Sequence, residues 1–245
     1  MQAVLDSKTS SRCFLRSYLL GAAFTPQGMQ SLGLAYAIEP GLAAIYSDQN
    51  ELLRARARYI RHFNTHPFCA PFLLGLFLNL EQLIAQGLLQ EEALPGIKDT
   101  AGYTLSAIGD SVFSGTLIPF WALAFACLML QNLLWAALFF TGCLFVGFHV
   151  FRLLSFSFAL RHGLHALEYL KDFDIINWGE RLKYCNAVLL ALLLGLTESL
   201  SHNTIVWAAF CVALPVIGYF LVLKTNLPRA IPLCAVIALY WLLAT

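Results

Sequence analysis

LIPFWALAFACLMLQNLLWAALFFTGCLFVGFHV, residues 117–150, contains no Lys, Arg, Asp or Glu. A helix that is apolar on all sides is enclosed by protein or by lipid. Roughly 20 such residues cross a bilayer's hydrocarbon core, so this stretch reads as membrane-embedded. Gln131 and Asn132 stand in its middle, so the run is either one long tilted helix or a bent pair.

Composition points the same way. Of 245 residues, 59% are hydrophobic and only 12% charged, and mean hydropathy is +0.71. Soluble domains carry about a quarter charged residues, so a water-facing surface could not be covered here. A net charge of +1 supplies no excess to neutralise phosphates, which argues against nucleic acid as a partner. The seven cysteines, at 13, 69, 127, 143, 185, 211 and 234, form no C-x-x-C pair and sit mostly in apolar runs, so neither metal nor disulfides are expected. No cofactor is expected either. Asp6, Lys8, Arg12 and Arg16 precede any apolar run, which argues against a cleaved leader.

Outward from 117–150 the charges set a topology. No Lys or Arg falls between Lys98 and Arg152, whereas Arg152, Arg161, Lys171, Arg181 and Lys183 follow in close order, as in a cytoplasmic segment. Further spans are expected at about 184–200, 204–223 and 230–244. The turn ESLSHN (198–203) would lie outside, the turn flanked by Lys224 and Arg229 inside, and the C-terminus outside. Upstream, residues 1–66 are amphipathic and hold seven of the fifteen Lys and Arg. In ELLRARARYIRH (51–62), Arg54, Arg58 and Arg61 oppose Leu53, Ala57 and Ile60, which suits a basic helix on a membrane face or an ordinary solvated one. Between lies 67–119, where short apolar pieces such as FCAPFLLGLFLNL (68–80) are broken by Gly, Pro and charge, the pattern of re-entrant or discontinuous helices. The fold class is therefore an all-α polytopic membrane protein in one domain, 1–245. It would have amphipathic N-terminal helices, a re-entrant core, and about four to five transmembrane helices in the C-terminal half.

Polar residues at membrane depth are functional candidates by default. Asp110, in AIGDS beside Gly109 and Ser111, could accept hydrogen bonds from sugar hydroxyls or cap a helix beginning at Ser111. Asn64, Thr65 and His66, in HFNTHPF (62–68), offer clustered donors and acceptors, or simply a cap before a helix with Pro67 in its first turn. Glu81 and Lys98 would form a buried pair if the fold brings them within reach, and Gln30 lines the polar side of GMQSLGLAYAIEP. His162 and His165 are placed on one helix face, at the interface. No P-loop, nucleophile elbow, zinc-protease or dinucleotide motif is present, so no catalytic residue is named.

FLRSYLLGAAF (14–24), GMQSLGLAYAIEP (28–40), IRHFNTHPFCAPFLLG (60–75), LNLEQ (78–82) and GIKDTAGYTLSAIGDSVFSGTLIP (96–119) follow one another in order. This set resembles the IID subunit of the mannose/fructose/sorbose family of phosphotransferase-system (PTS) sugar permeases, over about the first half of the chain. The resemblance implies a bacterial inner-membrane, multi-pass protein with a cytoplasmic N-terminus. It implies a IIC partner, cytoplasmic IIA and IIB components that carry the phosphate, a hexose-type sugar, and a trimer of IIC–IID pairs. It places Asn64, His66 and Asp110 at the sugar site, supported by Thr65, Ser111 and Gln30, with Glu81 and Lys98 holding the hairpins. The chain departs from the family pattern at Phe24, Thr25, Gly28 and Ile118. An alternative reading is thus a transport-inactive regulatory or scaffold protein derived from such a subunit. A third is an unrelated membrane enzyme pairing Asp110 with a histidine.

Overall fold

The computed structural model describes residues 5–172 and 174–198, and their regular structure is helical. In chain order the helices are α1 (Ser7–Arg16), α2 (Ser31–Ile45), α3 (Gln49–Tyr59), α4 (Ala70–Ala85), α5 (Ala93–Gly109), α6 (Ile118–Leu130), α7 (Leu134–His162), α8 (His165–Asp172) and α9 (Ile175–Glu198). The spans expected at 204–223 and 230–244, the charges flanking the turn between them, and the C-terminus lie outside the described residues.

α4 is the centre of the core. Leu73, Leu74, Leu76, Phe77, Leu78 and Leu80 are all fully buried, so its apolar surface is covered by protein rather than by lipid. That explains its length: 16 residues rise only about 24 Å, less than a bilayer core of about 30 Å. Contact with α7 is close, because any side chain at Gly75 would overlap the Phe156 backbone carbonyl. One turn on, Asn79 Nδ2 donates to the Leu160 carbonyl at 2.9 Å. α7 then ends at Gly163, whose φ of +56° favours glycine. His162 therefore closes one helix and His165 opens the next, so the two do not share a helix face.

α3 begins where the Asp48 carboxylate accepts from the backbone N–H groups of Asn50 and Glu51, a conventional N-cap. Its buried stripe is Leu52, Ala55 and Tyr59; Leu53 and Ile60 are exposed, with Ala57 beside them. The inward face is thus set one residue from the expected one, and Arg58 turns into the core. The cause is electrostatic: Tyr59 and Arg58 both reach a buried carboxylate on α4.

The interruption expected before residue 117 takes the form of a widening. α5 runs into a π-helical stretch, Asp110–Leu117, and on into α6 without a break. Asp110 has helical backbone angles (φ −63°, ψ −42°) and caps nothing. Pro119 has no N–H to give the preceding turn, and the Ile118 N–H instead reaches five residues back to Phe113. The Thr116 hydroxyl donates to the Val112 carbonyl at 2.5 Å.

The 117–150 run resolves as the bent pair. α6 and α7 form a hairpin turning at Asn132, whose φ is +59°. Trp121 Nε1 donates across it to Thr141 Oγ1 at 3.0 Å. α9 lies against α6 and the π stretch, where Asn186 Nδ2 donates to the Thr116 carbonyl at 2.9 Å.

Candidate functional site

The chain from His62 to Phe68 joins α3 to α4 and is gripped from two sides. On one side the segment before α2 pairs with it as a short strand would. Thr25 and Met29 exchange backbone hydrogen bonds at 3.0 and 2.8 Å, turning the chain so that Gln30 N–H donates to the Phe63 carbonyl at 2.8 Å and Phe63 N–H to that of Gly28 at 3.2 Å. The Gln30 side chain extends the ladder: its Nε2 donates to the Thr65 carbonyl at 3.0 Å and its Oε1 accepts from Thr65 N–H at 3.2 Å. One carboxamide thereby satisfies both backbone groups of a buried residue.

On the other side lies α5. Gly102 and Gly109 are seven residues apart, two turns of one helix face. Carbon added at Gly102 would touch the Phe63 ring and the Asn64 carbonyl, and at Gly109 it would overlap His66 Cβ. His66 is held beyond them: its ring stacks on Phe113 at 5.3 Å and 15°, and Nε2 lies 3.1 Å from Ser114 Oγ.

The structure therefore brings Asn64, Thr65 and His66 together with the helical turn that carries Asp110 and Ser111, with Gln30 in support. Thr65 is 2% exposed, and its Oγ1 has no hydrogen-bond partner among the described residues. Asn64 is half-buried, whereas Asp110 and Ser111 are exposed. Ser114, one turn beyond Asp110, was not singled out in the sequence; its signal was the i, i+4 spacing in DSVFS.

His66 and Ser114 do not make an activated nucleophile. Phe68 N–H donates to His66 Nδ1 at 3.3 Å, which makes Nδ1 the acceptor and Nε2 the protonated nitrogen. Nε2 then donates to Ser114 and cannot take its proton. What remains is a set of hydroxyl, carboxamide and imidazole groups around one carboxylate, suited to hydrogen-bonding a polyol.

Glu81 and Lys98 lie at the other end of α4 and do not pair with each other; both attach to Arg58. Glu81 is 0% exposed and accepts from Tyr46 and Tyr59 hydroxyls at 2.7 Å each, and from Arg58 at 2.6 and 3.1 Å. Arg58 also meets Glu91 at 2.9 Å, and Lys98 donates to the Arg58 carbonyl at 3.0 Å. Burial, then the Glu81 carboxylate, pushes both phenols above their ordinary range. Arg58 is held above its own: burial opposes this, but the hydrogen bonds to Glu81 prevail. Ion pair and helix ends form one brace. In the sequence Arg58 has the pattern of a surface cation, because its partners come from segments 12, 23 and 33 residues away.

Two helices long and apolar enough to cross a membrane, beside a polar loop clamped between other helices, are the architecture of an integral membrane protein. The chain belongs to the PTS system mannose/fructose/sorbose family IID component, whose pattern it matches over residues 4–245. It is 32% identical over 165 residues to the PTS system mannose-specific EIID component of Escherichia coli (strain K12), covering 66% of this chain and 55% of that one. It is 26% identical over 170 residues to the fructose permease IID component of Bacillus subtilis (strain 168), covering 69% and 60%. The chain spans little more than half the length of these curated relatives. A solved structure described as a membrane protein superposes with a TM-score of 0.65 at 26% identity, over 78% of this chain and 70% of that one. The complex of the mannose transporter ManYZ with microcin E492 does so at 0.55 and 22% identity, over 96% and 94%, and supports the fold alone.

Proposed function

We propose that this chain is the IID-type membrane subunit of a PTS sugar permease, forming with a IIC subunit the path by which a hexose-type sugar crosses the membrane. Phosphate transfer from phosphoenolpyruvate belongs to separate IIA and IIB components, and this subunit contributes binding and structure. The observation that carries the reading is the clamped 62–68 loop, whose half-buried Asn64 side chain has no hydrogen-bond partner among the described residues, with Thr65 buried behind it. A sugar hydroxyl is a natural partner for such groups, and Asp110 adds a charged acceptor on the adjoining turn. His66, Ser111 and Ser114 complete the polar lining, while Gln30 holds the loop and the Glu81–Arg58–Lys98 brace holds the helices behind it.

Family membership supports a bacterial inner-membrane location, and the charge pattern supports an orientation with the N-terminus, α3 and residues 152–183 on the cytoplasmic side and the C-terminus outside. Family resemblance supports one membrane domain over 1–245, working as an oligomer of IIC–IID pairs, three in number.

The test is phosphoenolpyruvate-dependent sugar uptake in cells that express this chain with its IIC, IIA and IIB partners. Asp110→Asn and Asn64→Ala should each lower uptake by roughly ten-fold or more, the effect of leaving a bound polar group unpaired. Unchanged uptake in both variants would sink the site assignment.

A further inference from the structure

Arg152 carries a charge that no described residue neutralises. It is 8% exposed. Its guanidinium lies 3.9 Å over the ring of Tyr18, and its buried Nε–H has no acceptor among the described residues. No described carboxylate forms an ion pair with it. Residues 1–4, 173 and 199–245 contain no Asp or Glu. Glu198 closes α9, which packs against α6 and the π-helical stretch. An unpaired buried cation is costly and points to an anion beyond the described residues.

The position of Arg152 identifies the class of anion. It is the first charged residue of α7, after an uncharged helical run from Leu134 to Phe151. That run rises about 27 Å, close to a hydrocarbon core of about 30 Å, which puts Arg152 at the level of lipid phosphates. Tyr18 and His149, stacked at 5.7 Å beside it, are the aromatic pair expected at such a boundary. Toward the hydrocarbon, Val146 and Val150 of α7 and Leu19 are exposed. Away from it, starting at Leu153, a cleft of about 440 Å³ opens between α1, α4 and α7, with Ser7, Ser10, Ser11, Gln82, Gln86 and Arg161 in its polar lining. Cation, hydroxyl-lined cleft and apolar strip follow one another in the order of a phospholipid's phosphate, headgroup and chains.

We propose that Arg152 and this cleft bind one anionic phospholipid, with its phosphate on the guanidinium, its headgroup among the α1 serines and Arg161, and an acyl chain along Val146 and Val150. A carboxylate from a partner helix would satisfy Arg152 but would leave the serine-lined cleft without a purpose. The proposal needs only the membrane location and is independent of the transported substrate.

The experiment is native mass spectrometry of the purified, delipidated chain titrated with phosphatidylglycerol. One adduct should persist in the wild type. Arg152→Gln should weaken it about five- to ten-fold, in line with one basic group at a lipid surface, and Arg152→Lys should weaken it less. Arg12→Gln, which removes an exposed arginine of α1, should leave it unchanged. A photo-crosslinking residue at Leu19, which leaves Arg152 intact, should label lipid in native membranes. The proposal falls if Arg152→Gln binds phosphatidylglycerol as the wild type does, or if Arg12→Gln loses as much. It also falls if inorganic phosphate at equal concentration displaces the adduct, or if the Leu19 crosslinker labels a membrane subunit instead of lipid.

Discussion

Replacing Glu81 by Gln keeps the side chain's volume and removes its charge where three segments meet: α4 itself, Arg58 and Tyr59 of α3, and Tyr46 just after α2. The carboxylate accepts four hydrogen bonds and donates none, so a carboxamide must present N–H groups to some of these donors. Removing one partner of a buried ion pair costs about 3–5 kcal/mol. Arg58 keeps Glu91 at 2.9 Å, so the expected loss is at the lower end, about 3 kcal/mol. For a chain of this size each kcal/mol moves the melting temperature by about 2–4 °C, which gives a fall of about 6–12 °C. Glu39→Gln is the internal control, because the Glu39–Arg56 pair is a third exposed on both sides, at 33% and 38%. Surface pairs contribute under about 1 kcal/mol, so this variant should melt within about 3 °C of the wild type. Thermal scans of detergent-purified protein, read by size-exclusion recovery after heating, separate the two cases. A Glu81→Gln protein that melts within about 2 °C of the wild type would refute the claim that this network braces the helices.

Three further outcomes are expected. Gln30→Leu leaves the buried N–H and carbonyl of Thr65 unpaired, at about 1–3 kcal/mol per group; it should lower both melting temperature and uptake, and Gln30→Glu, which keeps the acceptor, should fall between. Gly109→Ala puts a methyl group into His66 Cβ and pushes the loop from α5, so uptake should fall roughly ten-fold, whereas Gly142→Ala, with open space around it, should leave transport unchanged. Because the Tyr46 and Tyr59 phenols are raised by folding, the stability they contribute is complete below their unfolded value of 10.0 and is lost as pH rises beyond it. Melting temperature measured from pH 8 to 12 should decline above pH 10, and less steeply in Tyr46→Phe.

The membrane class was legible in residues 117–150 because hydropathy is additive along a chain: each residue's preference for lipid holds whatever its neighbours do. Helix termini were partly legible for a similar reason. Asn132 marks a turn through backbone freedom that belongs to the residue itself, whereas the end of α7 at Gly163 was hidden, since His162 and His165 sit at a spacing that also fits one helix. The ordered motifs from Phe14 to Pro119 identified the family, and the clustering of Asn64, Thr65 and His66 followed from their adjacency.

Pairings across the fold were not legible. Arg58 looked like its neighbours Arg54 and Arg61, and only the packing of α3 on α4 turned it toward Glu81. Gln30 could not be matched to Thr65, 35 positions away, because a carboxamide suits any exposed backbone pair equally well. Asp110 had the signature of a cap and became the first residue of a π-helical stretch, a choice made by the turns on both sides of it. Arg152 read as one more positive charge marking the cytoplasmic side until tertiary structure buried it on Tyr18 without an anion. Composition and periodicity determined where this chain lives and which segments are helices, since those depend on local, one-body free energies. Which polar groups are satisfied and which still need a partner was decided by tertiary structure alone, since a hydrogen bond or ion pair exists only at a distance of about 3 Å that no single segment controls.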